Sequence, residues 1–474
     1  MPGALLLRVA LFWGVDQLPL SPFTPSDLSA FQPISPEDFT KAKGHVYPLL
    51  LVRLALTWVC DGHVPYRAAS LIFSTLTGFV VVKGPCAETV RLWLLRVGLF
   101  LLRRPILPRS DWVYLLDLTI QLGQHKCLVI LGISLTRFRQ NGCRLAHRDV
   151  QVLTVQVLTS CTGEIIRQQL TELSKLTGTP CQIVSDHGSD VLLGVRLFCQ
   201  NHEKVIETYD VTHGLAILLK HRLERSARWD AFVKNCQCVR QQVQQTAGSF
   251  LQPPAWRQKA RYLNLESHLR WARDMLSLLD GNGETVLSQQ MGFDTPKCRT
   301  WLEEKLGWLH GYREDVRQWS YYQWLVKNAE EEIKQRGLRS NSWRKIGQDA
   351  EQQNPSTQEE KEFLEAVRRF VKEEGEKLPD KETHVGSTDV LESMFGKYKD
   401  LAQHGPCREI TANVLMIPLF ATTLTASLLR QALEAVHEHD LDLWIDQQLD
   451  PSPQKKKNAV LTAARLAHKG PILA

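Results

Sequence analysis

Between Tyr47 and Leu102 apolar residues recur at helical spacing. PYRAASLIFSTLTGFV and KGPCAETVRLWLLRVGLFLL read as two helices joined by a short turn at Gly84 and Pro85. After the break RRPILPRS the period changes. WVYLLDLTI, KCLVILGISL and VQVLTVQVLT are successive apolar, β-branched runs with short connections, the pattern of a strand meander. GEIIRQQLTELSKLTG then sets Ile166, Leu170 and Leu173 on one helical face, closed by Gly178 and Pro180. A fourth strand, CQIVSD, leads into a helix, DVLLGVRLFCQNH, and KVIETYD supplies a fifth strand. This order predicts an α/β fold with a mixed five-stranded sheet, antiparallel in the meander and parallel after the crossovers.

From about Gly214 to Pro379 the chain turns helical, charged and rich in tryptophan, without strand signal, and reads as an inserted all-α domain. Trp256, Trp271, Trp301, Trp308, Trp319, Trp324 and Trp343 fit its core, with one or two free to stack on a nucleic-acid base. DAEQQNPSTQEEKEF within it reads as an exposed connection. STDVLESMFGKYK follows. At 100° per residue Val390, Leu391, Met394, Phe395 and Tyr398 form an apolar stripe, and Asp389, Glu392, Gly396 and Lys399 line the other side. The predicted organisation is an irregular lead-in (1–44), a helical unit (45–108), the sheet (109–213), the insertion (214–380), the glutamate-bearing helix and its sequel (381–440), and a C-terminal helix with a basic tail (441–474). The helical pair fits helix-turn-helix DNA binding and, equally, a plain helical hairpin.

Composition narrows the class. A chain of 474 residues, 43% hydrophobic and 23% charged, is long enough for several domains of globular type. A net charge of +6 is compatible with a polyanionic partner without requiring one. The eleven cysteines are scattered, which suits reduced thiols rather than a disulfide framework. The most apolar runs are broken by Arg53, Arg91 and Arg96, so no membrane span is expected. MPGALLLRVALFWGV lacks a convincing cleavage site, so export is not expected.

Three carboxylates occupy informative places. Asp117 interrupts the first strand, where a lone buried carboxylate is costly unless paired or metal-bound. Asp186 ends the fourth strand, at the kind of strand end where ligands collect in α/β sheets. Glu392 lies on the late helix. If the first and fourth strands are neighbours, the two aspartates repel, and a divalent cation relieves the repulsion. A third carboxylate makes a hard-oxygen set suited to Mg²⁺ or Mn²⁺, and two such ions suit in-line phosphoryl transfer. Singly, each has a plainer reading: a hydrogen-bonded strand residue, a turn former, a solvated helix face. Asp190 is explained by the start of its helix.

Taken in order, the strand meander with its first-strand Asp, the second Asp in IVSDHGSD, a helical insertion and then DVLESMFGKYK resemble the DDE transposases of the ribonuclease H-like superfamily. The last motif looks like the glutamate motif of a group of bacterial insertion-sequence transposases. Tyr209-Asp-Val-Thr-His213 is similar to the Cys-or-Asp, two residues, His pattern of members with an insertion domain, such as the hAT-like groups. The resemblance spans roughly residues 45 to 440. It implies a ribonuclease H-like sheet interrupted by the all-α insertion, with an N-terminal helical DNA-binding domain. It further implies that Asp117, Asp186 and Glu392 are catalytic ligands of two Mg²⁺ or Mn²⁺ ions, that His213 is a catalytic partner, and that Asp210 supports that segment. Arg91, Arg96, Lys397 and Lys399 are the cations expected to meet DNA.

The function so implied is transposition: cleavage at element ends and joining to target DNA, in a homo-oligomeric synaptic complex, in a bacterial cytoplasm close to the nucleoid. A nuclease or integrase of the same fold, or a catalytically silent DNA-binding descendant, are the alternatives. The first would cut without joining, and the second would bind without chemistry.

Overall fold

The computed structural model describes residues 34–78, 84–120, 125–256, 265–403, 410–451 and 453–468. Its elements run α1 (Leu49–Cys60), α2 (Tyr66–Gly78), α3 (Ala87–Arg103), β1 (Trp112–Ile120), β2 (Lys126–Ser134), α4 (Leu135–Gln140), β3 (Gln151–Leu158), α5 (Gly163–Thr177), β4 (Gln182–Ser185), α6 (Ser189–Gln200) and β5 (Ile206–Tyr209). The helical stretch follows as α7 (Val211–Glu224), α8 (Ala227–Val243), α9 (Leu265–Leu279), α10 (Glu284–Met291), α11 (Thr295–Leu306), α12 (Arg313–Arg336), α13 (Ser342–Gln352) and α14 (Gln358–Glu376). The chain closes with α15 (Asp389–Gln403), α16 (Ile417–Phe420), α17 (Ala426–Ala435), α18 (Glu438–Gln448) and α19 (Pro453–His468).

The strands form one mixed sheet in the order β3-β2-β1-β4-β5. β1 and β2 pair antiparallel from Trp112 with Ser134 to Ile120 with Lys126, and β3 continues the meander with an irregularity between Ile130 and Leu131. β1–β4 and β4–β5 are parallel, α5 and α6 supplying the crossovers. Strand alternation gives the sheet two apolar faces. On one, Tyr114, Leu116, Leu128, Ile130 and Ile183 pack against Ile166, Leu170, Val191, Val195 and Phe198 of α5 and α6. On the other, Val113, Leu115, Val129, Leu131 and Val184 share a core with α1, α3, α15, α16 and α17. Burying each such Leu or Val contributes on the order of 1.5–3 kcal/mol.

The stretch after β5 is helical, as its patterning predicts, and has its own core. All seven tryptophans named from the sequence lie in it or against it, joined by Trp229, whose ring meets that of Trp319 edge-on at 4.9 Å. The predicted exposed connection is shorter than expected: α13 runs to Gln352, and Thr357 caps α14 by accepting from the Glu360 N–H, leaving residues 353–357 between the helices.

The N-terminal helices are not a separate unit. α3 is buried along its length, from Val90 through Trp93, Leu95, Val97 and Leu99 to Leu101, in the core that also holds one sheet face and α17. Gly98 makes this possible: a Cβ there would stand 1.8 Å from the Leu415 carbonyl oxygen. A helix enclosed in this way cannot enter a DNA groove, which corrects the helix-turn-helix reading of this pair. Of the lead-in, residues 34–44 are described, and they are docked rather than loose. Buried Asp38 pairs with Arg53 of α1 at 3.3 Å, and Arg430 of α17 reaches Glu37. Among the described residues no helix is long and apolar enough to cross a membrane, and the described cysteines are free thiols.

Candidate active site

The register of β1 against β4 pairs Leu116 with Ser185. Asp117 and Asp186 each follow by one residue, so parallel pairing sets them side by side on the face of Val113, Leu115 and Val184. α15 lies over this face through Leu391, Met394, Phe395 and Tyr398, its apolar stripe as the sequence predicts. Glu392 flanks this stripe, and its charge is felt at Asp117. The proximity of the strand carboxylates registers in Asp117, whose carboxyl is pushed up to about 8, first by burial and then by the charge of Asp186. The Leu118 N–H, donating at 2.6 Å, pulls the other way; Glu392 adds to the rise, and Lys399 opposes it. Four of the residues singled out from the sequence, Asp117, Asp186, Glu392 and Lys399, therefore share one electrostatic site.

The Asp186 turn is held from outside. Gly188 N–H donates to Asp186 Oδ1 at 3.0 Å. His187, between them, takes a left-handed backbone (φ +56°) that non-glycine residues seldom adopt. Its ring stacks on Tyr209 at 4.1 Å and its Nε2 bonds to Glu207. Burial would raise Glu207, but the His187 hydrogen bond and the Lys377 charge hold it below the usual carboxylate range. The Tyr209 phenol is pushed up to about 12 by burial and then by the charges of Asp186, Asp210 and Glu374.

Asp210 is fully buried and caps α7. Its Oδ1 accepts from the Thr212 N–H (2.9 Å), the Thr212 hydroxyl (2.7 Å) and the His213 N–H (3.3 Å), and its Oδ2 accepts from Thr388 at 2.6 Å. The Thr212 hydroxyl also stands 3.0 Å from Asp389 Oδ1, so its single proton is shared between the two aspartates. Val211 N–H bonds the Gly386 carbonyl, and the Gln182 amide of β4 bonds the Val385 carbonyl at 2.7 Å. This buried network ties β4, β5 and α7 to residues 385–389, and so fixes where α15 starts and where Glu392 projects. Lys334 of α12 adds an ion pair to Asp389. His213 sits in the first turn of α7, its ring 6.1 Å from that of Tyr209.

The expected DNA-contacting cations divide. Lys399 is exposed above Phe395 and feels the Asp117 charge. Lys397 points away, to Asp61 at 3.7 Å and over the Phe420 ring. Arg91 is engaged by Glu88 one turn earlier. Arg96 is a correction: 9% exposed, it donates to the Val436 and Leu433 carbonyls, so it caps the end of α17 and is no surface cation. Asp190 opens α6 and pairs with Lys126 at 3.7 Å.

Sequence reasoning passed over Gln182, His187, Glu207, Tyr209 and Thr388. Only His187 carried a local signal, a bulky residue where SDHGSD turns from strand to helix. Partners of the others lie as far as 203 residues away, as Val385 does from Gln182.

Whether the carboxylates suit a cation is a matter of donor chemistry and charge. Among the described residues no group of three His, Cys, Asp or Glu is drawn close enough to hold a metal ion as it stands. Burial is the first cause of the raised Asp117, and the neighbouring carboxylates Asp186 and Glu392 add to it. All-oxygen donors on one face fit a hard divalent cation. Compared with family models and with curated proteins, the chain matches none.

Proposed function

We propose that the chain is a metal-dependent DNA transposase with a ribonuclease H-like catalytic core, cutting phosphodiester bonds at element ends and joining the freed 3′-OH to target DNA. The observation that carries this reading is the placing of Asp117 beside Asp186 on neighbouring parallel strands, its carboxyl raised first by burial and then by Asp186, with Glu392 of the helix above adding to the rise. The sheet order β3-β2-β1-β4-β5 and the helical insertion ahead of α15 support it.

In this reading Asp117, Asp186 and Glu392 hold Mg²⁺ or Mn²⁺. Bound there, the ions supply Lewis-acid stabilisation of the attacking and leaving oxygens in an in-line displacement. The remaining work belongs to the chain. Burial of Asp117 lowers the local dielectric and so strengthens each charge interaction in the site. Lys399, exposed on the same helix face as Glu392, offers a point charge to a phosphate oxygen. Asp210 and Thr388 keep α15 in register, and the His187–Tyr209 stack fixes the Asp186 turn.

The test is a Mg²⁺-dependent cleavage and strand-transfer assay on DNA carrying the flanking element ends, with the native chain and Asp186→Asn. Joined products from the native chain, absent in the variant, are expected. Cutting without joining would favour a nuclease, and equal activity in both would remove Asp186 from the chemistry.

A further inference from the structure

Two clefts open on the side of the molecule bounded by α16 and the turn after it. The larger, about 770 Å³, is lined by Arg103, Arg104, Arg109 and Arg137 around the N-terminal end of β1. The smaller, about 380 Å³, is lined by Arg53, Arg148 and Lys397. Thr422 lines both, and Arg137 Nη2 reaches the Arg148 carbonyl at 3.5 Å, so the clefts adjoin. Asp117 and Asp186 stand toward the C-terminal ends of β1 and β4, away from the larger cleft. The larger cleft is therefore separate from the carboxylates, while the smaller one reaches α15 at Lys397, on the face of that helix opposite Lys399.

Charge bookkeeping singles out two side chains. Seven cations line the clefts, and five of them have a carboxylate partner: Arg103 with Asp440, Arg109 with Asp111, Arg137 with Asp149, Arg53 with Asp38 and Lys397 with Asp61. Arg104 and Arg148 have none among the described residues. Arg148 is exposed, and Arg104 Nε is shielded from solvent with no hydrogen-bond partner among the described residues. A guanidinium desolvated without an acceptor is costly. A phosphodiester oxygen in the larger cleft gives the Arg104 guanidinium that lines it an acceptor in the geometry a guanidinium favours. Cations distributed over two adjoining clefts suit a repeating anion better than a single small one.

We infer that the two adjoining clefts form a track for the phosphodiester backbone of duplex DNA, leading from Arg104 past Arg148 to Lys397 and the catalytic helix. The inference rests on the transposase reading, because it assigns a path to DNA beyond the bond being cut.

The experiment measures binding of a fluorescein-labelled random-sequence DNA duplex to the full chain across a salt series without divalent cation, for native protein, Arg104→Ala, Arg148→Ala and the double variant. Arg270→Ala, on the exposed surface of α9, serves as control. Each phosphate contact contributes about 0.9 to the slope of log affinity against log salt. The double variant should lose about 1.8 of that slope, each single variant about half, and the control none, with Arg104→Lys restoring most of the Arg104 loss. A full native slope in Arg148→Ala and in the double variant overturns the track and leaves the transposase reading standing. Absence of duplex binding by the native chain overturns both. A native slope that falls equally in Arg270→Ala overturns the track by showing a diffuse surface effect, and preference for a single strand of the same sequence overturns the duplex assignment.

Discussion

Asp117 is the residue on which the proposed chemistry turns, and its charge state links folding to pH. In the unfolded chain its carboxyl ionises near the ordinary value, about 3.8, whereas in the fold it holds its proton to about 8 under the influence of burial, Asp186 and Glu392, opposed by Lys399. A raised folded value gives stability that is complete below pH 4 and declines as pH rises toward 8, because the folded state alone keeps the proton over that window. In EDTA the melting temperature should therefore carry a downward component from pH 5 to pH 8, and Asp117→Asn should flatten it, as read by thermal scans at each pH. An unchanged pH profile in the variant would remove the coupling. Asp210 makes a second residue-scale prediction. Asp210→Asn keeps the size of the side chain but loses an acceptor oxygen facing Thr388 or Thr212. It should cost about 1–3 kcal/mol in urea unfolding, and lower cleavage by roughly 10–100-fold through misplacement of Glu392, in the manner of outer-shell partners.

At the scale of elements, the sheet was the most legible part of the sequence. Its runs were β-branched, correctly spaced and separated by short turns, so WVYLLDLTI and CQIVSD gave β1 and β4 nearly residue for residue. The parity of Asp117 and Asp186 along those strands then put both on one face. α3 was less legible for a physical reason. Helical periodicity reports that a segment is a helix, but RLWLLRVGLFLL is apolar nearly all round, the mark of an enclosed helix rather than a surface one. Arg91 and Arg96 looked like surface charges on it, yet Arg96 finds its acceptors on carbonyls some 340 residues later, which no local pattern encodes. The tight crossing at Gly98 predicts that Gly98→Ala, which forces a methyl toward the Leu415 carbonyl, destabilises the chain by about 1–3 kcal/mol or more. A lowered urea midpoint would bear this out, and an unchanged midpoint would mean that α3 and residues 412–416 can move apart freely.

At the scale of the described molecule, two of its three apolar cores meet through polar ties. The sheet with α1, α3 and α15–α17 has one core and the insertion another. Between them run the Val211–Gly386 hydrogen bond, the bridge of Leu338 to His384, the Lys334–Asp389 ion pair and the Asp210 cluster. These ties converge on residues 384–389, immediately ahead of α15. The helical stretch thus brackets α15, and the start of that helix is positioned by contacts that are distant in sequence. That is why the glutamate itself could be nominated from DVLESMFGKYK while its supporting shell could not.

The claim that three carboxylates form one cation site is tested most directly by titrating Mn²⁺ into the full chain at pH 8 and following binding by electron paramagnetic resonance. Native protein should bind Mn²⁺ in competition with Mg²⁺, and Asp117→Asn, Asp186→Asn and Glu392→Gln should each weaken binding severely. Equal binding in the native chain and all three variants, or no binding in any of them, would contradict the site.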